Sequence, residues 1–261
     1  MDSSSQTWID PIAKHAIPPN ASFPEGTGVY YIPNFVTAAT LGYSGEITPK
    51  NVLLARELPA FVTSYPDIIS RLKATEAFEG SPHGQPNHII MNEYLPGQGI
   101  MPHEDGPAYH PVVATISLGG HALFHYFRYS PEGEGDAEDA EGAKEPSTSN
   151  HGRRIDPRPV LTVLLEPRSV VITTGTLYKT HLHGIRDITE DLFAPAKSDS
   201  KPRLHDLDVQ LDNWELLADD DLKKAISEGK TIPRTTRYSL TCRDVARVAS
   251  AGKLLGGLSK R

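Results

Sequence analysis

The chain has 261 residues, a formal net charge of −7 and a single cysteine, Cys242. That length can bury a sizeable core in one domain with insertions. The acidic balance gives no global basic field announcing a nucleic-acid or membrane partner, and one cysteine excludes an intramolecular disulfide framework. The longest aliphatic runs, such as "VLTVLL", fall far short of the roughly 20 residues of a membrane span. The N-terminal stretch has no apolar core like that of a signal peptide. No membrane partner is expected, and a reducing setting, cytoplasmic or nuclear, is.

Residues 1–26 are rich in Pro and Ser and read as an irregular leader, and 27–248 read as one domain ahead of a tail, 249–261. "GVYYIPNFV", residues 28–36, reads as a strand. The stretch "ARELPAFVTSYPDIISRLKATEAF" carries Phe61, Ile68 and Leu72 at helical spacing and predicts short helices. "HIIMNEYLP" is a strand stopped by Pro96-Gly97. "PVVATISLGG", "ALFHYFRY", "VLTVLLEP" and "SVVITTG" follow as strands with turn signals between them, and "TRYSLTCRDV", residues 236–245, closes the series. Many short strands with mostly N-terminal helices predict a mainly β, α+β protein: a sandwich or jelly-roll packed on helices.

Two segments interrupt that core. Residues 131–154 are acidic, poor in apolar residues and rich in Gly and Ser, which predicts a disordered loop between strands. Residues 187–233 form a second insertion, with a helix predicted in "NWELLADDDLKKAISEG" between Asp219–Asp221 and Gly229.

The chemistry starts in "NEYLPGQGIMPHEDGP", residues 92–107. If the segment after the Pro/Gly break is extended, His103 and Asp105 point to one face. Such a pair is also what a water-exposed loop contains. "THLHGIRD" supplies His181 and His183, and His183 stands before Gly184-Ile185, as at a strand start by a barrel mouth. His103, Asp105 and His183 would make a two-His-one-carboxylate face, which suits non-haem Fe(II).

"RYSLTCR" sets Arg237, Ser239, Thr241 and Arg243 on one strand face and Tyr238, Leu240 and Cys242 on the other. Two guanidinium forks with hydroxyls between them, and no Lys or Glu, match a planar dianion such as 2-oxoglutarate. A solvated Arg face is the competing reading. In "HIIMNEY", Ile90, Asn92 and Tyr94 share a face, adding an amide and a phenol beside the metal loop.

Taken in order, "NEYLPGQGIMPHEDGP", "TISLGG", "LLEPRSVVITTG", "YKTHLHGI" and "RYSLTCR" resemble the AlkB-like Fe(II)/2-oxoglutarate dioxygenases, with "YLPGQGIMPHEDGP" and "LLEPRSVVI" most like the sixth AlkB-homologue branch. The resemblance covers about residues 28–130 and 158–247. It implies a double-stranded β-helix with iron on His103, Asp105 and His183. It also implies 2-oxoglutarate on Asn92, Tyr94, Arg237 and Arg243, a hydroxyl contact from Thr241, and O₂ as co-reactant. It assigns no role to His181. The implied reaction is oxidative removal of an N-methyl group, on methylated RNA or single-stranded DNA.

Two departures stand out. The chain passes directly from "YYIPNFVTAA" to "TLGYSGEITPKNVLLARELP", where the family has a helix and basic strand-loop of the substrate lid; Ser239 also replaces an Asn found in some members. Two alternatives therefore stand beside nucleic-acid demethylation: a protein side-chain hydroxylase or demethylase, and a catalytically weakened binding module with a truncated lid. Arg186, Arg234, Arg247, Lys253, Lys260 and Arg261 are the candidate phosphate contacts, with scattered surface charge as the competing reading for each.

Overall fold

The structure is a computed structural model that describes residues 12–36, 46–55, 63, 67–130, 153–195 and 201–250. Its centre is two facing antiparallel sheets. The larger uses β1 (Val29–Ile32), β4 (His88–Tyr94), β6 (Tyr109–Gly119), β9 (Val170–Thr174) and β14 (Arg237–Val245), in the order β1-β9-β6-β14-β4. The smaller uses β5 (Ile100–His103), β7 (Ala122–Phe127), β8 (Leu161–Leu165) and β10 (Leu182–Ile185), in the order β5-β10-β7-β8. Two three-stranded sheets complete the described strands: β2 (Glu46–Ile47), β3 (Leu53–Ala55) and β15 (Val248–Ser250) in one; β11 (Glu190–Ala194), β12 (Arg203–Leu204) and β13 (Thr231–Pro233) in the other.

Strand alternation divides the apolar residues between two cores. Val29, Tyr31, Phe124, Tyr126, Val163 and Val171 fill the space between the two large sheets, and Leu123 and Leu164 face the other side of the smaller one. The opposite face of the larger sheet, with Ile89, Ala114, Ile116, Ile172, Leu240 and Cys242, is covered by Ile68, Ile69 and Leu72 of helix α1 (Ile68–Ala74). Asp67 caps that helix by accepting from the Ser70 amide. The other expected N-terminal helical stretch, residues 56–66, lies outside the described residues except for residue 63, which is helical.

Helices are less N-terminal than expected. Helix α2 (Gly175–Thr180) links β9 to β10, where only a turn was anticipated, and α3 (Asp220–Ser227) lies in the second insertion. The α3 boundaries follow the sequence signals: Asp219 accepts from the Leu222 amide, and Gly229 takes φ +69 just beyond the end.

The second insertion is tied to the barrel by buried side chains. Glu166, after β8, accepts from the amides of Ala218 and Asp219 and from the Tyr31 hydroxyl. The side chains of Asp212 and Asn213 accept from the β8 amides of Thr162 and Leu164. They add to an apolar anchorage in which Phe193, Leu204, Val209, Leu211, Leu217 and Ile226 of the insertion are buried in the same core cluster as β7 and β8.

The acidic stretch 131–152 lies outside the described residues; its flanks close on each other, with the Ser130 amide donating to Arg154 O and Tyr129 bridging Ile155. Of the leader, residues 12–26 are described, and Ile17 is buried at 1% exposure with its amide on Val29 O. No helix among the described residues is long and apolar enough to cross a membrane.

Candidate active site

The smaller sheet positions the histidines. His183 on β10 is the register partner of His103 on β5 and of Tyr126 on β7, so all three face the space between the sheets. Two glycines let β5 and β10 approach this closely. A Cβ on Gly99 would fall 2.3 Å from Ile185 O, and one on Gly184 would fall 2.9 Å from Ile100 O. The strand β5 ends at His103, so Asp105 reaches the same side from the loop beyond it rather than by strand alternation.

His103, Asp105 and His183 form a cluster whose ligand-capable atoms all lie within 4.8 Å of one another. The His183 Nε2 stands 4.0 Å from Asp105 Oδ1, and the two imidazole centroids are 4.5 Å apart. The His103 Nδ1 is 2.8 Å from Met101 O, a contact that places its proton there and leaves the Nε2 lone pair free. Burial holds the His183 pKa down at about 4, with Asp105 opposing and His103 and Arg243 adding to the shift. His183 is therefore a neutral imidazole at physiological pH, the form that binds a metal.

The larger sheet supplies the cations. Arg237, Ser239, Thr241 and Arg243 all face inward from β14 and are buried, at 2%, 2%, 8% and 7% exposure. Arg243 donates to Asp105 Oδ1. Its guanidinium carbon lies 4.7 Å over the Tyr109 ring, which stacks on His88 at 5.9 Å. Arg237 stands opposite Tyr94 of β4, its guanidinium carbon 5.3 Å from that ring, and Ser239 stands opposite Asn92.

Arg237 is a buried cation without an anion. Its Nε and Nη2 donate to the Ser117 hydroxyl at 3.2 and 2.9 Å, and its Nη1 has no partner among the described residues. Burial lowers its pKa to about 10, with Tyr94 opposing the shift and the nearby charge of Arg234 adding to it. Asp105 Oδ2 and Arg243 Nε are likewise buried without partners. Unpaired donors on two arginines and an unpaired oxygen on a carboxylate, facing one interior, describe a place for an anion and a cation together.

Thus the eight site residues expected from the sequence, His103, Asp105, His183, Asn92, Tyr94, Arg237, Thr241 and Arg243, are drawn from five neighbouring segments around one interior. Arg243 pairs with Asp105 in this state. His181 is apart from the cluster: its ring lies against Phe23 at 5.3 Å and its Nδ1 contacts the Thr180 hydroxyl at 2.9 Å.

Two of the candidate phosphate contacts are engaged elsewhere. Arg234 is buried and gives Asp191 two hydrogen bonds of 2.9 and 2.8 Å, while Arg186 pairs with Asp206. Their partners come from the second insertion, and no local spacing in the sequence reveals such pairing. Arg247 is exposed, and Lys253, Lys260 and Arg261 lie outside the described residues. Sequence reasoning also passed over Tyr178 of α2, whose buried hydroxyl has no partner among the described residues, and Tyr129, which donates at 2.9 Å to Glu104 between His103 and Asp105. Each is a single aromatic outside any regular pattern.

The sequence pattern of the family described as the 2OG-Fe(II) oxygenase superfamily matches residues 17–243. A Danio rerio protein named "Probable RNA/DNA demethylase ALKBH6" is 32% identical over 252 residues, covering 87% of this chain and 90% of its own length. "Uncharacterized protein L905" of Acanthamoeba polyphaga mimivirus is 38% identical over 48 residues, 18% of this chain and 23% of its own. A solved structure described as "The structure of OsALKBH1" aligns with 84% of this chain and 97% of its own at 17% identity and a TM-score of 0.37. With a match over most of its length and a full-length relative of this similarity, the chain belongs to the 2OG-Fe(II) oxygenase superfamily, among its AlkB-like members.

Proposed function

We propose that this dioxygenase holds Fe(II) at His103, Asp105 and His183, holds 2-oxoglutarate against Arg237 and Arg243, and oxidatively demethylates single-stranded RNA or DNA. The observation that carries the cosubstrate half is Arg237, a buried guanidinium with an unused donor in the same interior as the His/Asp/His cluster. The donor set of two imidazoles and one carboxylate, with Asp105 Oδ2 unpaired, fits a divalent iron with open positions. Fe(II) with 2-oxoglutarate and O₂ supplies oxidation of an N-methyl group, which leaves as formaldehyde while the cosubstrate leaves as succinate and CO₂.

The chain's own residues bind and orient. Met101 O sets the His103 tautomer, and Arg243 fixes Asp105. In this reading Arg237 takes the distal carboxylate and Arg243 the keto-acid end, with Asn92, Tyr94 and the Thr241 hydroxyl lining the space between. Apolar side chains of the inter-sheet core keep the interior dry. We read residues 27–248 as the catalytic domain, working in the cytoplasm or nucleus; a limited digest that cuts stably within 27–130 would break the first reading, and cell fractionation decides the second.

The nucleic-acid substrate is supported by the name of the zebrafish relative and by the mouth. There, Tyr129 lies under the Arg153 guanidinium at 3.8 Å, beside Glu104 of the metal loop. An aromatic ring with a stacked cation suits an unpaired base. A methylated base reaches the interior only when single-stranded or flipped out. The test is succinate release from 2-oxoglutarate with methylated RNA, methylated single-stranded DNA, unmethylated controls and methylated peptides. Formaldehyde from the methylated oligonucleotides is expected. Stimulation by peptides alone would transfer the activity to protein side chains, and no turnover with any of them would favour a binding module.

A further inference from the structure

Three buried polar atoms near the metal cluster have no hydrogen-bond partner among the described residues: Asp105 Oδ2, Arg243 Nε and the Tyr178 hydroxyl. The first two belong to residues already placed in the site. Tyr178 does not. It sits on the six-residue helix α2, which packs against β6 and β9 and leads into the strand carrying His183. Its buried hydroxyl lies within electrostatic reach of Asp105, Arg243 and Tyr109, on the connection that leads directly to His183.

An unsatisfied buried hydroxyl is costly, and most have partners. Two deeply buried tyrosines here follow that rule: Tyr31 donates to Glu166 at 2.7 Å, and the Tyr126 hydroxyl is 2.6 Å from the Thr173 hydroxyl, whereas Tyr178 is half-buried with only its hydroxyl enclosed. The three orphaned atoms near the cluster are also of complementary kinds. A carboxylate oxygen asks for a cation. A guanidinium N–H and a phenol O–H ask for an anionic oxygen. Together they describe an oxygen anion held beside a cation, with donors arriving from two different elements, β14 and α2.

Resting on the function proposed above, we infer that the Tyr178 hydroxyl is a second donor, beside Arg243, to the keto-acid carboxylate of 2-oxoglutarate. Tyr178 is then a cosubstrate-binding residue supplied by the β9–β10 connection. Its bond is made only when the anion is present, so it stabilises the bound state and leaves the ligand-free protein with an unpaired hydroxyl.

The test compares wild type and Tyr178→Phe, with Mn(II) as the metal so that no turnover occurs. Phe keeps the ring and removes only the oxygen. The ligand-free variant should melt at the wild-type temperature or above it, since an unpaired polar atom has been removed. Mn(II) alone should bind both proteins within about two-fold of each other. With Mn(II) present, 2-oxoglutarate should bind the variant about ten-fold more weakly, as expected for one lost bond to a charged acceptor. Oxalate, which mimics only the keto-acid end, should weaken by a similar factor. An unchanged Kd for 2-oxoglutarate overturns the inference. So does weakened Mn(II) binding without 2-oxoglutarate, which would make Tyr178 a support for Asp105, or an oxalate affinity that does not move. A wild-type protein showing no Mn(II)-dependent binding of 2-oxoglutarate would overturn the underlying function as well.

Discussion

Arg234 and Arg237 stand three residues apart, both buried, at 7% and 2% exposure, in opposite surroundings. Every side-chain nitrogen of Arg234 is engaged by its own chain: Asp191 takes two of its bonds, Arg186 O takes a third at 2.6 Å, and Asp191 also meets His121 Nε2 at 3.0 Å. Among the described residues Arg237 bonds only the hydroxyl of Ser117 and keeps an unpaired nitrogen. The first region is a structural network that ties the second insertion to the barrel. The second is a charge set in place ahead of its partner. Partners within the chain mark a group that serves the fold; their absence, at a buried cation, marks one that serves a ligand.

The comparison breaks most visibly at the metal cluster. Asp105→Ala removes the only carboxylate of the His103/Asp105/His183 set and leaves Arg243 without its present acceptor. Metal-dependent release of CO₂ from labelled 2-oxoglutarate should fall to background. Turnover at the wild-type level would remove Asp105 from the ligand set.

The paired region should show its role in stability alone. Asp191 is fully buried, and Asp191→Ala strands Arg234 and His121. Losing one partner of a buried ion pair costs about 3–5 kcal/mol. Urea unfolding of the metal-free protein should show a loss of that order; a change below about 1 kcal/mol would mean the network carries little.

His125 sharpens the comparison because it is an orphan outside the site. Its Nδ1 meets the Thr162 hydroxyl at 3.0 Å, its Nε2 has no partner among the described residues, and the charges facing it are Arg186, Arg234, Asp191 and Asp206. Burial, with Arg186 adding, lowers its pKa from 6.5 to about 4. The unfolded chain therefore binds the extra proton between those values. The stability that His125 contributes is whole above pH 6.5 and falls as the pH drops toward about 4, with a total loss on the order of 3 kcal/mol. His183 in the metal-free protein shifts the same way, so the variant retains a share of this slope when His125 is replaced. Urea midpoints at pH 5 and 7.5 should differ less in His125→Gln than in wild type. Equal differences would assign the acid sensitivity to other groups.

How far these regions could be read in the sequence follows from what each depends on. The β14 face was legible because a period of two is local: Arg237, Ser239, Thr241 and Arg243 had to share a side once the segment was a strand. The His103/Asp105 pair was found on a premise that does not hold, since β5 stops at His103 and the loop delivers Asp105. Helix α2 was missed because "GTLYKT" is six residues with a glycine and two threonines, too short for any helical period to show. Arg234 was misread as a phosphate contact because its acceptor lies 43 residues away on β11. Pairings between an insertion and the barrel leave no local mark, so the structural arginine and the binding arginine look alike until the fold places Asp191 beside one of them.

Arg237→Met tests the central difference with two measurements of opposite sign. Met approximates the length of the Arg stem and removes the charge. If Arg237 is unpaired until 2-oxoglutarate arrives, its removal takes an uncompensated charge out of the ligand-free interior, and the protein should unfold at the same urea concentration as wild type or higher. The same change deletes the charge-assisted bonds to the distal carboxylate, each contributing about 1.5–3 kcal/mol. The affinity for 2-oxoglutarate in the presence of Mn(II) should therefore fall by about ten-fold or more. Oxalate, which lacks a distal carboxylate, should bind the variant as it binds wild type. An arginine serving the fold, as Arg234 does, gives the reverse pattern: a large loss of stability, with ligand affinity reduced only as the fold fails. Calorimetry and urea unfolding on one preparation separate the two, and lowered stability with unchanged affinity would place Arg237 beside Arg234 as part of the scaffold.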